Sequence, residues 1–314
     1  MQFEKDILNL ECKLSSLRKS PNADQYIIDD IEKKRDRLIE KVYSRLTPWQ
    51  RVQIARHPDR PKFSDYVSTI FTDFVEIRGD RLFGQDNSII TGFATISDVK
   101  VALVGQEKGK TMEQRIKHNF GMPLPEGYRK AQRLMHLADK FGLPIVSLVD
   151  TSGAFPGIES EERGQAEAIA RCIETSFDID VPIVSVIIGE GGSGGAVAIA
   201  SADYVLMLEN SIYSVISPEG CASILWKDES YTEIAASSQK LIAGDLLKLG
   251  VIDHVIQEKS GGAHRHPIDT MMSVQDAILE YIRLSEEVSI SERKIQRRRK
   301  FMNIGSWLIP DHGK

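Results

Sequence analysis

Cysteine is scarce in this chain: three in 314 residues, Cys12, Cys172 and Cys221, scattered and odd in number. That excludes a disulfide scaffold and reads as reduced thiols in a cytosolic protein. There is no C-x-x-C and no H-E-x-x-H, so the chain shows no evident zinc site. It has no apolar run long enough to span a bilayer. The opening residues Met1-Gln2-Phe3-Glu4-Lys5-Asp6 are charged and amphipathic, unlike a secretory leader. No charge of one sign dominates: the net charge is −5, which gives no global attraction for nucleic acid. G-x-x-x-x-G-K-[ST] is absent as well, which removes the P-loop.

What remains is ample for a folded α/β domain, with 41% hydrophobic residues. Glycine is concentrated at Gly189-Glu190-Gly191-Gly192-Ser193-Gly194-Gly195, followed by Ala196. The β-branched run at 182–188 before it reads as a buried strand, and 196–200 after it reads as a tightly packed helix. Such a turn leaves N–H groups unpaired and admits a ligand closely. It suits a phosphate or an oxyanion.

An internal echo favours the oxyanion. Pro144, Ile145, Val146 and Ser147 match Pro182, Ile183, Val184 and Ser185, and in the same register Gly153 matches Gly191 and Gly157 matches Gly195. Two consecutive strand–turn–helix units share one design, as in a wound or stacked parallel arrangement. Parallel neighbours would bring both turns to one sheet edge, where one oxyanion could sit between them. The alternatives are mere packing and a dinucleotide site. Residues 189–194 satisfy G-x-G-x-x-G, but they lie mid-chain and lack a convincing acidic residue after the next strand.

Residues 1–46 read as a helical hairpin. Phe3, Ile7, Leu10, Leu14 and Leu17 have heptad spacing, Ser20-Pro21-Asn22 breaks it, and Ile28, Ile31, Leu38, Ile39 and Val42 mark a second helix. This hairpin braces the body or meets a partner helix. The body is expected over 47–314. Thr47-Pro48 starts a helix, His57-Pro58-Asp59-Arg60-Pro61 is a rigid connector, and Ser64 caps a helix carrying Val67, Ile70, Phe71 and Phe74 on one face. Strands follow at 88–96 and 100–106, then a long basic loop over 105–127, a helix at 126–141, the repeated units, and strands at 203–208 and 211–216. The remainder is mostly helical and ends in a basic run at 293–300.

A Ser hydrolase would need a positioned His and acid; the histidines lie outside the Gly turns, and neither turn is read as carrying the nucleophile-elbow pattern G-x-S-x-G. Ser193 as a Clp-type nucleophile is therefore disfavoured. His264-Arg265-His266 could be a metal tract but reads better as a polar loop. Glu190 and Glu219 are acid/base candidates, with helix capping or ion pairing as the simpler roles. Good anion stabilisers without a clear nucleophile suit chemistry in which the substrates supply base and nucleophile.

Residues 46–58, 119–123, 125–131, 161–165, 189–196, 213–227 and 261–265 together resemble the carboxyltransferase α subunits of bacterial and plastid-type acetyl-coenzyme A carboxylase, over nearly the whole chain. The resemblance implies an α/β fold, a crotonase-like (Clp/crotonase) spiral of ββα units with the N-terminal hairpin and a helical C-terminal region. It implies CO2 transfer from carboxybiotin, carried on a separate biotin carboxyl carrier protein, to acetyl-CoA. The product is malonyl-CoA, in the first committed step of fatty acid biosynthesis. It further implies an α2β2 assembly with a shared active site, a biotin carboxylase in the larger complex, and zinc only on the β subunit. Membrane and nucleic-acid partners are not expected, and the location is cytoplasmic. The α subunit would supply the hole for the biotin ureido oxygen. We place it on Gly191, Gly192, Gly194, Gly195 and Ala196, facing Gly153 and Ala154. Phe155, Pro156, Gly157, Ser193 and Glu190 are the expected biotin contacts. The family form Asp-Thr-Pro-Gly-Ala-Tyr-Pro-Gly reads here with Ser152 and Phe155 at two positions, so a proline's φ restriction and a tyrosine hydroxyl are missing. The alternatives carried forward are a self-sufficient crotonase-type acyl-CoA hydratase or decarboxylase, and a scaffolding or nucleic-acid-binding subunit using 293–300.

Overall fold

The computed structural model describes residues 1–20 and 24–305. Eight strands form one sheet: β1 (Thr72–Glu76), β2 (Ile89–Ile96), β3 (Val99–Gln106), β4 (Ile145–Thr151), β5 (Ile183–Gly192), β6 (Tyr204–Leu208), β7 (Ile212–Ser214) and β8 (His254–Ile256). The order is β1-β2-β3-β4-β5-β6-β8, with β7 paired to β5. β1 to β3 run antiparallel, and every later pair is parallel. Helices Pro125–Phe141, Gln165–Asp178 and Ser193–Ala200 make successive crossovers from β3 to β6.

Both sheet faces are covered. Leu134, Met135, Cys172 and Ile199 pack on Ile145, Val149, Ile183 and Ile187. On the other face, Val146, Leu148, Val184 and Val186 meet helices Phe63–Ile70 and Pro267–Glu286 through Phe63, Tyr66, Val274 and Ile278. Every residue of β4 and β5 is buried, which is why these strands read as continuous apolar runs rather than alternating ones.

The internal echo is a physical register. Ile145 pairs with Ile183, Val146 with Val184 and Ser147 with Ser185. The match then slips, because Thr151 pairs with Gly191 after an irregularity at Val149. The equivalences of Gly153 with Gly191 and of Gly157 with Gly195 are therefore not spatial. β5 also runs further than the sequence implies. Its first half pairs with β6, and Glu190, Gly191 and Gly192 pair with Ile212, Tyr213 and Ser214 of β7. The glycines expected in a turn are thus largely strand, and the next helix begins at Ser193 rather than Ala196.

Other boundaries shift for local reasons. Lys62, not Ser64, precedes the helix Phe63–Ile70, and the Asp65 carboxylate accepts the Lys62 N–H at 2.8 Å. Phe71 is extended (φ −119°, ψ 150°) and Phe74 lies in β1, so neither belongs to the helical face assigned to it. The basic stretch at 105–127 holds a helix at Met112–Lys117, started by a Thr111–Gln114 capping box, and a short turn at Asn119–Gly121. The strand expected at 211–216 is only Ile212–Ser214.

Helices Lys5–Arg18 and Gln25–Tyr43 pack together through Leu14, Ile28 and Ile31, with Leu10 and Leu17 partly buried. Of the expected break, Pro21 and Asn22 lie outside the described residues. Ile7, Ile39 and Tyr43 close on Ile54, so this pair braces the body. At the other end, the basic run lies in the helix Ile290–Asn303. Arg297 bonds the Asp203 carboxylate at 2.7 Å and the carbonyls of Ser176, Ile179 and Val181. It caps the C-terminal end of the helix Gln165–Asp178, where the helix dipole favours a cation. Arg293, Lys294, Arg298 and Lys300 also bond protein partners; Arg293 and Arg297 are buried and Lys294 and Lys300 half-buried, while Arg298 and Arg299 are exposed. Residues 306–314 of the expected C-terminal region lie outside the described residues.

Candidate active site

The ends of β4 and β5 carry two backbone turns that touch. A Cβ on Gly192 would overlap the Ser152 carbonyl, and one on Gly195 would lie 2.6 Å from Ala154 N and from the Gly153 carbonyl carbon. Only glycine allows that approach. Gly191 is closed off by the Tyr213 ring, 2.8 Å from where a Cβ would stand, whereas Gly194 has ordinary space, with Ile169 at 3.5 Å. Gly153 has φ 147°, and its N–H donates to Thr151 Oγ1 at 3.0 Å. That donor is therefore used inside the turn.

The helix Ser193–Ala200 starts at Gly192 with no side-chain cap. Its first N–H groups lack intrahelical partners and form the electropositive end of the helix. Gln106, fully buried, locks the arrangement: its Nε2 donates to Gly195 O at 2.7 Å and its Oε1 accepts Asp150 N–H at 3.1 Å. Asp150 Oδ1 in turn accepts the Glu190 N–H at 3.0 Å.

A charge network borders the turns. Glu190 Oε1 receives Arg56 Nη2 at 2.6 Å, and its Oε2 receives Lys108 Nζ at 3.2 Å. Lys108 also meets Asp150 Oδ1 at 2.8 Å, and Arg56 reaches Glu219 Oε1 at 2.6 Å. Burial alone would raise the Glu190 pKa; the Lys108 and Arg56 charges outweigh it and hold the carboxyl below its ordinary value. Asp150 behaves likewise, with burial opposed by Lys108 and Lys62. Both are ionised at neutral pH. A cavity of about 320 Å3 opens beside them, lined by Arg56, Lys62, Lys108, Arg115, Ser152 and Glu190, with Gly109 and Phe120 completing the wall.

The expected site residues thus separate. Gly192 and Gly195 meet Gly153 and Ala154, as expected, while Glu190 and Glu219 are in the ion-pair role rather than standing free. Phe155 is held through its backbone, its N–H to Pro123 O at 3.0 Å and its O from Gln165 at 3.0 Å; Pro156 is exposed and Gly157 precedes the helix Ile158–Glu162. Both departures from the family form, Ser152 and Phe155, leave this turn in place. Arg56, Lys62, Lys108, Asp150 and Gln106 were not singled out as site residues. Gln106 and Asp150 lie at strand ends and Lys108 in the basic loop, whereas Arg56 ends the helix Pro48–Ala55 inside the stretch 46–58 and Lys62 precedes the helix Phe63–Ile70.

Residues 191–195 do satisfy G-x-S-x-G, contrary to the reading above, and Ser193 has φ 52° at the strand-to-helix junction. This is the backbone of a nucleophile elbow. The histidines that make hydrogen bonds, His57, His118, His264 and His266, make them with other partners, so among the described residues no histidine is hydrogen-bonded to Ser193. The polar-loop residue His264 stacks on His57, ring centroids 4.0 Å apart, and with Glu4 brings three ligand-type atoms within 4.8 Å. Arg265 Nη2 is 3.2 Å from the same Glu4 oxygen, and Tyr43 donates to it. A cation already neutralises this carboxylate, so the cluster is an ion-pair knot. His266 bonds Ser260 O and stands apart from it.

Comparison with known proteins places these observations in a family. The family described as acetyl co-enzyme A carboxylase carboxyltransferase-like matches residues 1–305. The acetyl-coenzyme A carboxylase carboxyl transferase subunit alpha of Zymomonas mobilis is 51% identical over 308 residues, covering 97% of this chain and 98% of that one. The Rhodospirillum centenum protein of the same name is 52% identical over 309 residues, covering 97% and 98%. Among solved structures, transcarboxylase 12S aligns with a TM-score of 0.57 at 20% identity, covering 71% of this chain and 42% of that one. The β subunit of Pseudomonas aeruginosa geranyl-CoA carboxylase aligns at 0.55 and 17%, covering 77% and 45%. The chain spans less than half the length of these two structures, and at such identities they show the fold alone: the crotonase-like α/β spiral. Among the described residues no helix is long and apolar enough to cross a membrane. Matched end to end by relatives at about half identity, the chain belongs to the acetyl-coenzyme A carboxylase carboxyl transferase subunit alpha family.

Proposed function

We propose that this chain is the α half of a biotin-dependent carboxyltransferase. With a β subunit, as α2β2, it transfers a carboxyl group from biotin on a separate carrier protein to acetyl-CoA, giving malonyl-CoA. A cytoplasmic location, zinc confined to β, and a biotin carboxylase in the larger complex belong to the same reading. The observation that carries it is the uncapped start of the helix Ser193–Ala200, packed backbone to backbone against Gly153-Ala154 and bordered by a cationic cavity. Biotin supplies the carboxyl group and a ureido oxygen that gains negative charge during transfer.

These residues fit a ureido group: N–H donors without partners meet its oxygen, and cations border the site. The N–H groups of Gly194, Gly195 and Ala196 are the donors in this reading, fixed in place before reaction. Gly192 and Gly195 provide the close approach, and Gly191 leaves room for the Tyr213 ring. Phe155, Pro156, Gly157 and Ser193 form the surface nearest the ligand, and Glu190 orients Arg56 and Lys108. The ionised Glu190 and Asp150 are both engaged by cations, so neither is a free base; proton abstraction falls to the substrates. The acyl-CoA oxygen would be met by β.

Gly195→Ala tests this. The added Cβ forces the two turns apart, because it would lie 2.6 Å from Ala154 N. Transfer should fall by about 100-fold, the scale of losing one oxyanion donor, while circular dichroism and association with β persist. Full activity in the folded variant would contradict the assignment.

A further inference from the structure

Two cations of the cavity make no direct ion pair in the network described above, where Lys62 acts on Asp150 only through space. Lys62 is only 4% exposed, yet its ammonium makes one hydrogen bond, to the His57 carbonyl at 3.5 Å. Among the described residues it forms no ion pair, and Asp150 and Glu107 act on it only at longer range. Arg115, on the helix Met112–Lys117, lines the same wall and likewise forms no ion pair among the described residues. Lys108 and Arg56, by contrast, are matched by Asp150, Glu190 and Glu219.

A buried ammonium without a counter-charge is unfavourable and is kept only where something offsets it. Here Asp150 and Glu107 offset it only at longer range, which leaves room for a close anion brought by a ligand. At about 320 Å3 the cavity lies at the lower end of small-molecule sites, which run from about 300 to 1,000 Å3. It can take a head group but not a whole coenzyme. Ser152 joins it to the Gly153 turn, so an anion held there lies beside the start of the helix Ser193–Ala200. Arg115 can accept a planar carboxylate side-on, and Lys62 adds a point charge.

We infer that this cavity is a carboxylate subsite in which Lys62 and Arg115 bind the carboxylate of the group being transferred, an inference that rests on the carboxyltransferase reading above. Lys62 is thus a substrate-binding residue, and Arg56 and Lys108, fixed by their acids, shape the wall around it.

The test is Lys62→Met, which keeps the apolar stem and removes the charge. In the full chain alone, malonate and inorganic phosphate are titrated calorimetrically. The wild type should bind malonate, the variant at least about tenfold more weakly, the scale of one charge-assisted hydrogen bond. The variant should also melt no lower than the wild type, since an unpaired buried charge is gone. In the complex with β, KM for malonyl-CoA should rise about tenfold with KM for free biotin and for acetyl-CoA unchanged, and Lys62→Arg should restore part of it. Preference for phosphate, with KM rising equally for acetyl-CoA, would overturn the carboxylate assignment in favour of a coenzyme phosphate. Normal transfer with unaltered malonyl-CoA KM would overturn the subsite and leave the proposed function standing. Loss of malonate binding in the variant, with no transfer by the wild-type complex, would support the subsite and overturn the function.

Discussion

The backbone N–H of Glu190 donates to the Asp150 carboxylate at 3.0 Å, joining the ends of β4 and β5 at the point where both turn into the site. Lys108 closes the triangle, 2.8 Å from Asp150 and 3.2 Å from Glu190. This charged frame ties together the strand ends from which the glycine turns start.

Gln106 bridges the two turns from a fully buried position. Gln106→Leu leaves the Asp150 N–H and the Gly195 carbonyl without this partner. It should destabilise the chain by about 2 kcal/mol or more and reduce transfer further than the lost stability explains. Chemical denaturation alongside single-turnover transfer checks this; wild-type transfer would contradict the bridge.

Arg60 belongs to the connector read as merely rigid, yet its side chain is 1% exposed and paired to a fully buried Glu258 at 2.7 Å. It also donates to Ile188 O and Ser211 Oγ, tying β5 to the segment before β7. Arg60→Met should cost about 3–5 kcal/mol, because Glu258 is left charged and buried. Adding Glu258→Leu should recover part of that loss in the melting temperature; additive losses would contradict the pairing.

Acid should loosen the N-terminal helices. Burial, then the neighbouring His264, lowers His57 from 6.5 to about 4. Burial would raise Glu4, but the His264 and Tyr43 bonds and Arg265 bring it from 4.5 to about 2. A depressed pKa stabilises the fold above the ordinary value and ceases to as pH falls through the folded one. His57 therefore loses its contribution between 6.5 and about 4, and Glu4 between 4.5 and about 2. Hydrogen exchange in Lys5–Arg18 and Gln25–Tyr43, corrected for intrinsic rates, should show protection falling relative to the sheet from pH 7 to pH 4. Unchanged relative protection would contradict the account.

The burial of Arg293 and Arg297 separates a structural tail from a nucleic-acid arm. Arg297 is fully buried at its side chain and pairs with Asp203. Arg297→Ala should lower stability by about 3–5 kcal/mol and leave RNA retention no different from the wild type. Specific, tail-dependent RNA binding would favour the alternative role.

The strands and their register were legible because β4 and β5 bury every residue, so their apolar runs and the Ile145–Ile183 echo stood out. The arrival of both turns at one sheet edge followed from that parallel pairing. The two-residue slip at Thr151 did not, because a bulge leaves no periodic trace. Arg56, Lys62 and Lys108 were hidden because charge in a loop reads as a solvated face until folding buries it. Ser64 misled because the cap here is made by a carboxylate three residues into the unit, from Asp65 to the Lys62 N–H.

The central claim, that this chain holds one half of a shared carboxyltransferase site, is tested most directly by malonyl-CoA-dependent carboxylation of free biotin. It is measured with this chain alone, with a zinc-ribbon β subunit alone, and with both. The account predicts turnover only in the mixture. Turnover by this chain alone would contradict it, placing both anion-stabilising sites here.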